Sequence, residues 1–368
     1  MALHQPAVIA IPVRNEERHL DACLNALVSQ THAPDEIVLL LNNCTDGSHE
    51  ICRTAQQKYP CMTIVVCRLE DYEASAGEAR RRTIDHALRL AGDGVVLTTD
   101  ADSVVPATWV ADNLAGIAED TDCVCGMAVL DREACSEDRK RLERDAAHET
   151  LLLGLQDEIR AMIDPDPCDP WPRHQQHSGA SIAVRAAVLR RIGGVPRVVS
   201  GEDRALVAKL ASLDARIRHA PDIKVRVSGR LYGRAAGGMA ETIGRRLHCP
   251  DQLTDEMLEP TVDAYRRVLT RARLRDLRHG DIGAPALDRV ATDLLIPPVT
   301  VRAARDAPHF GAAWNIIQHA SPMLRRRRVA FAELARETRQ ALVLRDHLRS
   351  GQVQCRESLE WKDLRHAL

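Results

Sequence analysis

The chain has 368 residues, enough for one large hydrophobic core or two smaller ones. Hydrophobic residues make up 45% and charged residues 28%, which is typical of a globular protein and excludes large-scale disorder. The 50 basic and 52 acidic residues give a formal net charge of -2. No overall electric field therefore attracts the protein to nucleic acid or to an anionic membrane.

The cysteines and the N-terminal sequence indicate where the protein works. The 11 cysteines are an odd number and lack the paired spacing of a zinc site, so we interpret them as reduced thiols. Residues 1–17 lack the basic region and long apolar core of a signal peptide. No later window approaches the roughly 18 uncharged residues that a membrane-spanning helix needs. We therefore expect a cytoplasmic protein without a transmembrane segment.

Short apolar runs alternate with helical patterns through the first part of the chain. The pattern predicts strands at 8–13, 36–41, 62–66 and 94–99, and helices at 17–30, 48–58 and 77–90. Strands that alternate with helices favour parallel pairing in an α/β sheet. The strand runs lack polar alternation, as expected of strands covered on both faces.

The second part of the chain is richer in helical patterns. A helical stretch at 136–163 leads into a four-proline loop at 164–172, where regular structure is disfavoured. A strand at 181–184, helices at 186–192 and 203–213, and a strand at 223–227 follow. Beyond about residue 238 the pattern is mainly helical. We predict an α/β catalytic domain at 1–238 and a helical domain, lid or oligomerisation region at 239–368.

Polar clusters follow three of the predicted strands. They are residues 14–16 after the first, 42–46 after the second and 100–102 after the fourth. The carboxyl ends of parallel strands share one edge of a sheet, where open α/β sheets bind ligands. No Gly-x-Gly-x-x-Gly and no Gly-Lys-Ser/Thr segment is present, which disfavours a dehydrogenase fold and a P-loop. A bound phosphate must then be held by a metal ion and basic side chains.

Asp100 and Asp102 leave the fourth strand one residue apart, with Ala101 between them. Two carboxylates at this spacing reach the same side of an extended chain and can share a divalent cation, which prefers oxygen ligands. A solvated turn after a strand is the alternative. The position at the strand end favours a site for Mn²⁺ or Mg²⁺.

Six ordered motifs make the chain resemble the family 2 glycosyltransferases of the GT-A fold. They lie at 12–17, 42–48, 79–80, 99–102, 179–185 and 201–203. The resemblance covers roughly residues 7–230. It implies a Rossmann-like, mostly parallel twisted sheet flanked by helices, and transfer of a sugar from a nucleotide-diphosphate sugar to a hydroxyl.

The resemblance also implies roles for individual donor-site residues. The residues that would bind the nucleotide sugar are Pro12, Arg14 and Glu16 at the nucleoside, Asn42, Asn43 and Asp46 at the base, and Arg80 at the diphosphate. Asp100 and Ala101 would also contact the nucleotide sugar. Asp102 would hold the metal, and Asp100 would reach the ribose or the metal. UDP is favoured as the nucleotide. Many relatives have Asp-Asp where this chain has Asn42-Asn43, and an amide can donate as well as accept, so GDP stays open.

Asp203 is the predicted general base, with Glu202 as its supporting neighbour. Inverting transfer needs a carboxylate that removes the acceptor proton as the oxygen attacks the anomeric carbon. The alternative is that both acids favour the first turn of a helix. Two other functions stay open: a retaining transferase of the glucosylglycerate-synthase type, and a sugar-nucleotide-binding protein without turnover.

The predicted acceptor site is less well defined. Its candidates are Trp171, His177, Gly179, Arg230 and Arg234, for which ordinary loop polarity or a solvated turn is the alternative. We expect a small soluble acceptor and no nucleic-acid partner. The arginines at 325–328 precede an apolar stripe, which favours a core or homodimer contact over peripheral membrane contact.

Overall fold

The computed structural model describes most of the chain, in two compact units. The described residues are 5–70, 75–118, 120–131, 137–198, 200–230, 244, 246, 253–280 and 284–351. The first unit comprises Met1–Cys135, Gln176–Ala211 and Ala215–Arg245, and the second comprises Ser136–Gln175, Ser212–Asp214 and Arg246–Leu368. The sequence predicts a single boundary near residue 238. The structure instead groups residues 136–175 with the C-terminal helices.

One mixed sheet forms the centre of the first unit. Its described strands are β1 (Ala7–Val13), β2 (Glu36–Asn42), β3 (Met62–Cys67), β4 (Val95–Thr98), β5 (Ser103–Val104), β6 (Cys123–Leu130), β7 (Ile182–Arg185) and β8 (Ile217–Val227). Their order across the sheet is β3-β2-β1-β4-β7-β6-β8-β5. The strand β1 pairs in parallel with β2 and β4, and β2 pairs in parallel with β3.

The other half of the sheet changes direction. The strand β7 runs antiparallel to both β4 and β6, and β5 runs antiparallel to β8, while β6 and β8 are parallel. The predicted α/β class is therefore confirmed, in a mixed sheet whose described strands make four parallel and three antiparallel pairings. The strands β5 and β6 were not predicted, β5 because it is only two residues long. The apolar run of β6 was missed although it is eight residues long.

Helices follow the strands of the first unit in chain order. They are α1 (Leu20–Val28), α2 (Ser48–Lys58), α3 (Ala76–Leu90) and α4 (Trp109–Ala118), with α6 (Ala186–Ile192) and α7 (Glu202–Ser212) later in the chain. Ser75 caps α3 by accepting a hydrogen bond from the Glu78 amide. The helix α6 ends at Gly193, whose φ of 74° is accessible mainly to glycine.

Burial of the central strands explains why they lack polar alternation. Six of the seven β1 residues and all four β4 residues are buried, because helices cover both faces of the sheet. Ile9, Leu39, Leu97 and Trp109 lie in the resulting core. This rigid centre fixes the loops at the carboxyl ends of β1, β2 and β4.

The described part of the second unit is helical. It contains α5 (Glu137–Ile163), α8 (Thr261–His279), α9 (Ala284–Asp293), α10 (Pro298–Asp306), α11 (Phe310–Ala320), α12 (Leu334–Arg349) and two short 3₁₀ helices. Leu155 of α5, Tyr265 of α8 and Leu344 of α12 share one buried cluster, which explains why 136–163 belongs to this unit. Among the described residues, no helix has the length and apolar character needed to cross a membrane.

Candidate active site at the carboxyl edge of the sheet

Hydrogen bonds join the loop after β1 to the loop after β2. The Glu16 amide donates to Ser48 Oγ at 2.8 Å, and the Thr45 amide donates to Asn15 Oδ1 at 2.7 Å. Glu17 Oε2 accepts from the Gly47 amide at 2.9 Å. Asn15, Glu17 and Ser48 were not predicted to position the site, although all three lie within the motifs at 12–17 and 42–48. They hold the Glu16 backbone beside the residue 42–46 loop.

The predicted base-binding residues have unequal environments. Asn42 is 1% exposed at the end of β2, and its Oδ1 accepts no hydrogen bond within the described part of the chain. The side chain of Asn43 donates from Nδ2 to the Leu69 carbonyl at 2.9 Å, and its Oδ1 accepts from the Leu69 amide at 2.8 Å. Asp46 accepts from the amides of Glu17 and Ser48, both at 3.1 Å. Asn43 and Asp46 therefore shape the loops, and base contact by all three residues stays a prediction.

Arg80 of α3 connects several predicted site residues. Its Nε donates to Glu202 Oε1 at 2.9 Å, its Nη2 pairs with Asp100, and its Nη1 donates to Thr98 Oγ1 at 2.8 Å. Burial alone would lower the pKa of Arg80, but the carboxylates of Asp100 and Glu202 more than offset it and raise that pKa. The guanidinium is 7% exposed, so it positions the two acids, and diphosphate binding by Arg80 stays a prediction.

Gly179 allows this arrangement by having no side chain. A Cβ atom at this position would lie 2.4 Å from the Cζ of Arg80, far inside contact distance. The Gly179 carbonyl accepts from Arg80 Nη1 at 3.1 Å, while its amide donates to Asp203 Oδ2 at 3.0 Å. The residue predicted to contact the acceptor thus links Arg80 to the predicted base.

Asp203 lies in the first turn of α7, and its second carboxylate oxygen accepts from the Arg204 amide at 2.7 Å. Both the helix-start and the catalytic interpretation therefore fit its position. Burial raises the pKa of Asp203, and the nearby Arg80 charge opposes that effect in part. A carboxyl group with a raised pKa is better matched to accept a proton near neutral pH.

Arg230, which follows β8, bridges two carboxylates of the predicted donor site. Its Nη1 donates to Glu16 Oε1 and Oε2 at 2.9 and 2.8 Å, and its Nη2 lies 3.1 Å from Asp102 Oδ2. The sequence predicts an acceptor contact for Arg230. In this structure the guanidinium lies instead on the carboxylates assigned to the ribose and the metal.

The oxygen donors suit a divalent cation. Burial, and then the neighbouring charge of Asp100, raise the pKa of Asp102 to about 7, with a smaller contribution from Glu16. The carboxylates of Asp100 and Glu16 beside Asp102 favour a bound positive charge, and oxygen is the ligand that Mn²⁺ and Mg²⁺ accept. Within the described residues, no group of three or more His, Cys, Asp or Glu has the geometry of a complete metal site. Asp102 and Asp100 would therefore hold such an ion with help from the substrate.

The remaining predicted residues are distributed more widely. Pro12 lies on β1 and Arg14 just after it, while Ala101 is 3% exposed between the two aspartates. His177 Nε2 is 3.0 Å from Nε2 of His219 on β8, a contact that the sequence did not predict. Trp171 belongs to the second unit and is 42% exposed. Arg234 lies outside the described residues.

Asp100 and Asp102 at the end of β4, together with Glu202 and Asp203 at the start of α7, are the acidic residues that the motifs of a family 2 glycosyltransferase predict for its site. Residues 8–176 match the sequence model of glycosyl transferase family 2. This match confirms the resemblance to family 2 that the motifs indicate.

One curated relative is the glycosyltransferase AglE of Haloferax volcanii. It is 28% identical over 113 residues, which are 30% of this chain and 34% of the relative. The chain thus spans about a third of the length of this curated relative.

Solved structures of other glycosyltransferases show remote similarity. S. aureus TarS 1-349 in complex with UDP-GlcNAc is 17% identical with a TM-score of 0.45, over 94% of this chain and 92% of that chain. The mannosyltransferase PcManGT from Pyrobaculum calidifontis, in complex with GDP-Man and Mn²⁺, is 16% identical with a TM-score of 0.44, over 99% and 79%. Neither similarity identifies the donor or the metal of this chain.

Proposed function

We propose that this chain transfers a sugar from a nucleotide-diphosphate sugar to a hydroxyl of a small acceptor, with inversion and with a divalent cation. One observation carries this proposal: Arg80 pairs with both Asp100 and Glu202, and Gly179 links Arg80 to Asp203. The aspartate pair expected at the diphosphate and the carboxylate expected at the acceptor therefore belong to one hydrogen-bonded unit.

The donor side of the reaction follows from the acidic pocket. Asp102, with Asp100, would hold the cation, which supplies positive charge for the departing diphosphate when it is bound. Asp100 is held by Arg80, so its carboxylate keeps a fixed position relative to β4. Glu16, whose amide donates to Ser48 Oγ, would accept hydrogen bonds from a ribose. UDP is our favoured nucleotide.

The acceptor side depends on Asp203. Its carboxylate takes the proton of the acceptor hydroxyl while the hydroxyl oxygen attacks the anomeric carbon from the side opposite the diphosphate. The Gly179 and Arg204 amides fix both carboxylate oxygens, which favours one orientation of the base. Glu202 is buried against Arg80 and positions that arginine without touching the acceptor.

A thermal-shift panel tests the donor step. UDP, GDP and their sugars are added with and without MnCl₂ to the wild-type chain and to Asp102→Asn. A ligand at 100 times its Kd stabilises the native state by about 2.7 kcal/mol, which raises the melting temperature measurably. We expect a manganese-dependent shift with one nucleotide, lost in Asp102→Asn and kept in Asp93→Asn, whose side chain is fully exposed.

Product analysis tests the transfer step. The donor that gives the largest shift is incubated with candidate hydroxyl acceptors, and the anomeric configuration of the product is read by NMR. An inverted product supports Asp203 as the base, and a retained product overturns that part of the proposal. Donor binding without turnover by any acceptor tested would favour a binding protein.

A further inference from the structure

Three acidic residues of the second unit are each shared by two arginines. Asp157, Asp164 and Glu259 are 2%, 2% and 3% exposed, and each lies within 4.0 Å of two guanidinium groups. The arginines are Arg160 and Arg173 at Asp157, Arg271 and Arg275 at Asp164, and Arg267 and Arg326 at Glu259. We call these six residues the arginine cluster.

Direct contacts connect the three pairs. Gln156, beside Asp157 on α5, donates from Nε2 to the Glu259 carbonyl at 2.6 Å. The Asp164 amide donates to the Arg160 carbonyl at 2.9 Å at the end of α5. The cluster therefore surrounds the C-terminal end of α5, where it meets α8, and lies wholly in the second unit.

The ion pairs within 4.0 Å leave the arginine cluster with more guanidinium groups than carboxylates. A fourth carboxylate, Asp169, lies 3.6 Å from Arg173, so six guanidinium groups face four carboxylates at this distance. The charge of a fifth carboxylate, Asp166, also acts on Arg271. Partly buried like charges repel one another more strongly than they would in water. A bound anion would offset the excess of guanidinium groups.

Individual arginines show the effect of that excess. Burial and the charges of Arg173, Arg271 and Arg326 lower the pKa of Arg160 to about 10, against the opposing charge of Asp157. Burial, and to a smaller extent the charge of Arg275, likewise lower the pKa of Arg271 against the opposing charges of Asp164 and Asp166.

The cluster combines accessible groups with an unsatisfied buried one. The side chains of Arg160, Arg271 and Arg326 are 33%, 29% and 39% exposed, so a small ion can reach them from solvent. Arg173 is 5% exposed, and its buried Nη2 donates to no acceptor in the described part of the chain. The nearest partners of Arg160 are distant, at 3.5 Å for Gln175 Oε1 and 4.0 Å for Asp157.

We propose that the arginine cluster is a binding site for a phosphate monoester dianion, with Arg160, Arg271 and Arg326 as its principal ligands. A guanidinium group presents a planar pair of donors that matches two phosphate oxygens. A bound anion also offsets the excess of guanidinium groups over carboxylates in the cluster. The site does not depend on the sugar-transfer proposal, because none of its residues belongs to the donor pocket.

Calorimetric titration of the full chain tests this site at constant ionic strength. The probes are inorganic phosphate, sn-glycerol 3-phosphate and acetate, and the variants are Arg160→Gln and Arg326→Gln. We expect saturable binding of both phosphates and none of acetate, with at least tenfold weaker binding in each variant, since a hydrogen bond to a charged group is worth about 1.5–3 kcal/mol. Arg302→Gln, at an exposed pair 3.9 Å from Asp288, should bind as the wild type does.

Several outcomes would overturn the proposal. They are an absence of saturable phosphate binding by the wild type, equal affinity in both cluster variants, or binding of inorganic phosphate without binding of the ester. Melting temperatures measured without phosphate test whether the variants fold. We expect neither variant to have a lower melting temperature than the wild type, because each substitution relieves repulsion between arginines of the cluster. Asp102→Asn should keep phosphate binding, so failure of the donor pocket and failure of this site give different results.

Discussion

The guanidinium Nη2 of Arg230 lies 3.1 Å from the Oδ2 of Asp102. The same guanidinium donates twice to Glu16, so one arginine offsets the charge of two buried carboxylates. A divalent cation on Asp102 would compete with Arg230 for the same oxygen. Arg230 would therefore release or share Asp102 when a cation binds.

Arg230→Gln should make stability depend more strongly on a divalent cation. Without metal, we expect a loss of about 1–2 kcal/mol in the free energy of unfolding, since Glu16 and Asp102 lose their partner. With MnCl₂, we expect a larger rise in melting temperature than in the wild type, because a competing cation has been removed. Arg226→Gln is the matched control, since Arg226 is 62% exposed and 3.9 Å from Asp131. An equal manganese response in wild type and Arg230→Gln would contradict competition.

Asp203→Asn should separate binding from turnover. The amide oxygen can still accept from the Gly179 amide, so the loop and the donor pocket should persist. Loss of a general base costs roughly 10²–10⁴-fold in rate, and we expect kcat to fall by that factor with the nucleotide Kd unchanged. Isothermal titration and a transfer assay measure the two quantities. A variant that retains full turnover would remove Asp203 from the mechanism.

The transfer rate should begin to fall at a higher pH than it would if the general base had the pKa of an ordinary aspartate. Burial raises the pKa of Asp203, and the base works only when it is deprotonated, so the rate falls as pH drops through that raised pKa. The sign for stability is opposite: the protonated form favours the folded state, and this contribution is lost as pH rises through the folded pKa. Rates measured as a function of pH test the first point. Melting of Asp203→Asn against wild type across pH tests the second, and the variant's relative stability should increase with pH.

Gly179→Ala should destabilise the first unit by roughly 1–3 kcal/mol, the usual cost of overpacking a buried site. The new methyl group would lie 2.4 Å from Arg80 Cζ, and Arg80 cannot move away without breaking its contacts with Asp100 and Glu202. Gly154→Ala on α5 is the control, because nothing lies within 4 Å of its added Cβ and alanine favours a helix. Denaturant unfolding should show a loss in the first variant and no loss in the second. Equal stabilities would contradict the close packing.

Local patterns determined much of the fold and the edge at which the site lies. The runs at 8–13, 36–41 and 94–99 are buried strands because their side chains are apolar on both faces. Their polar successors meet at one edge because β1, β2 and β4 are parallel. Parallel pairing follows from alternation with helices, so the position of Glu16, Asn42 and Asp100 was predictable from the sequence.

Only the tertiary structure decided which charged side chains meet. Arg80 reaches Glu202 across 122 positions, and Arg230 reaches Glu16 across 214. The hydrophobic periodicity of the sequence does not predict such pairs, because they form where segments distant in the sequence lie beside one another in the folded chain. The grouping of residues 136–175 with the C-terminal helices was also decided by the tertiary structure. Leu155 of α5 packs in one buried cluster with Tyr265 and Leu344, which are distant from it in the sequence. Hydrophobic patterning thus determined the layers of this protein, while long-range packing decided the ion pairs that shape its candidate site.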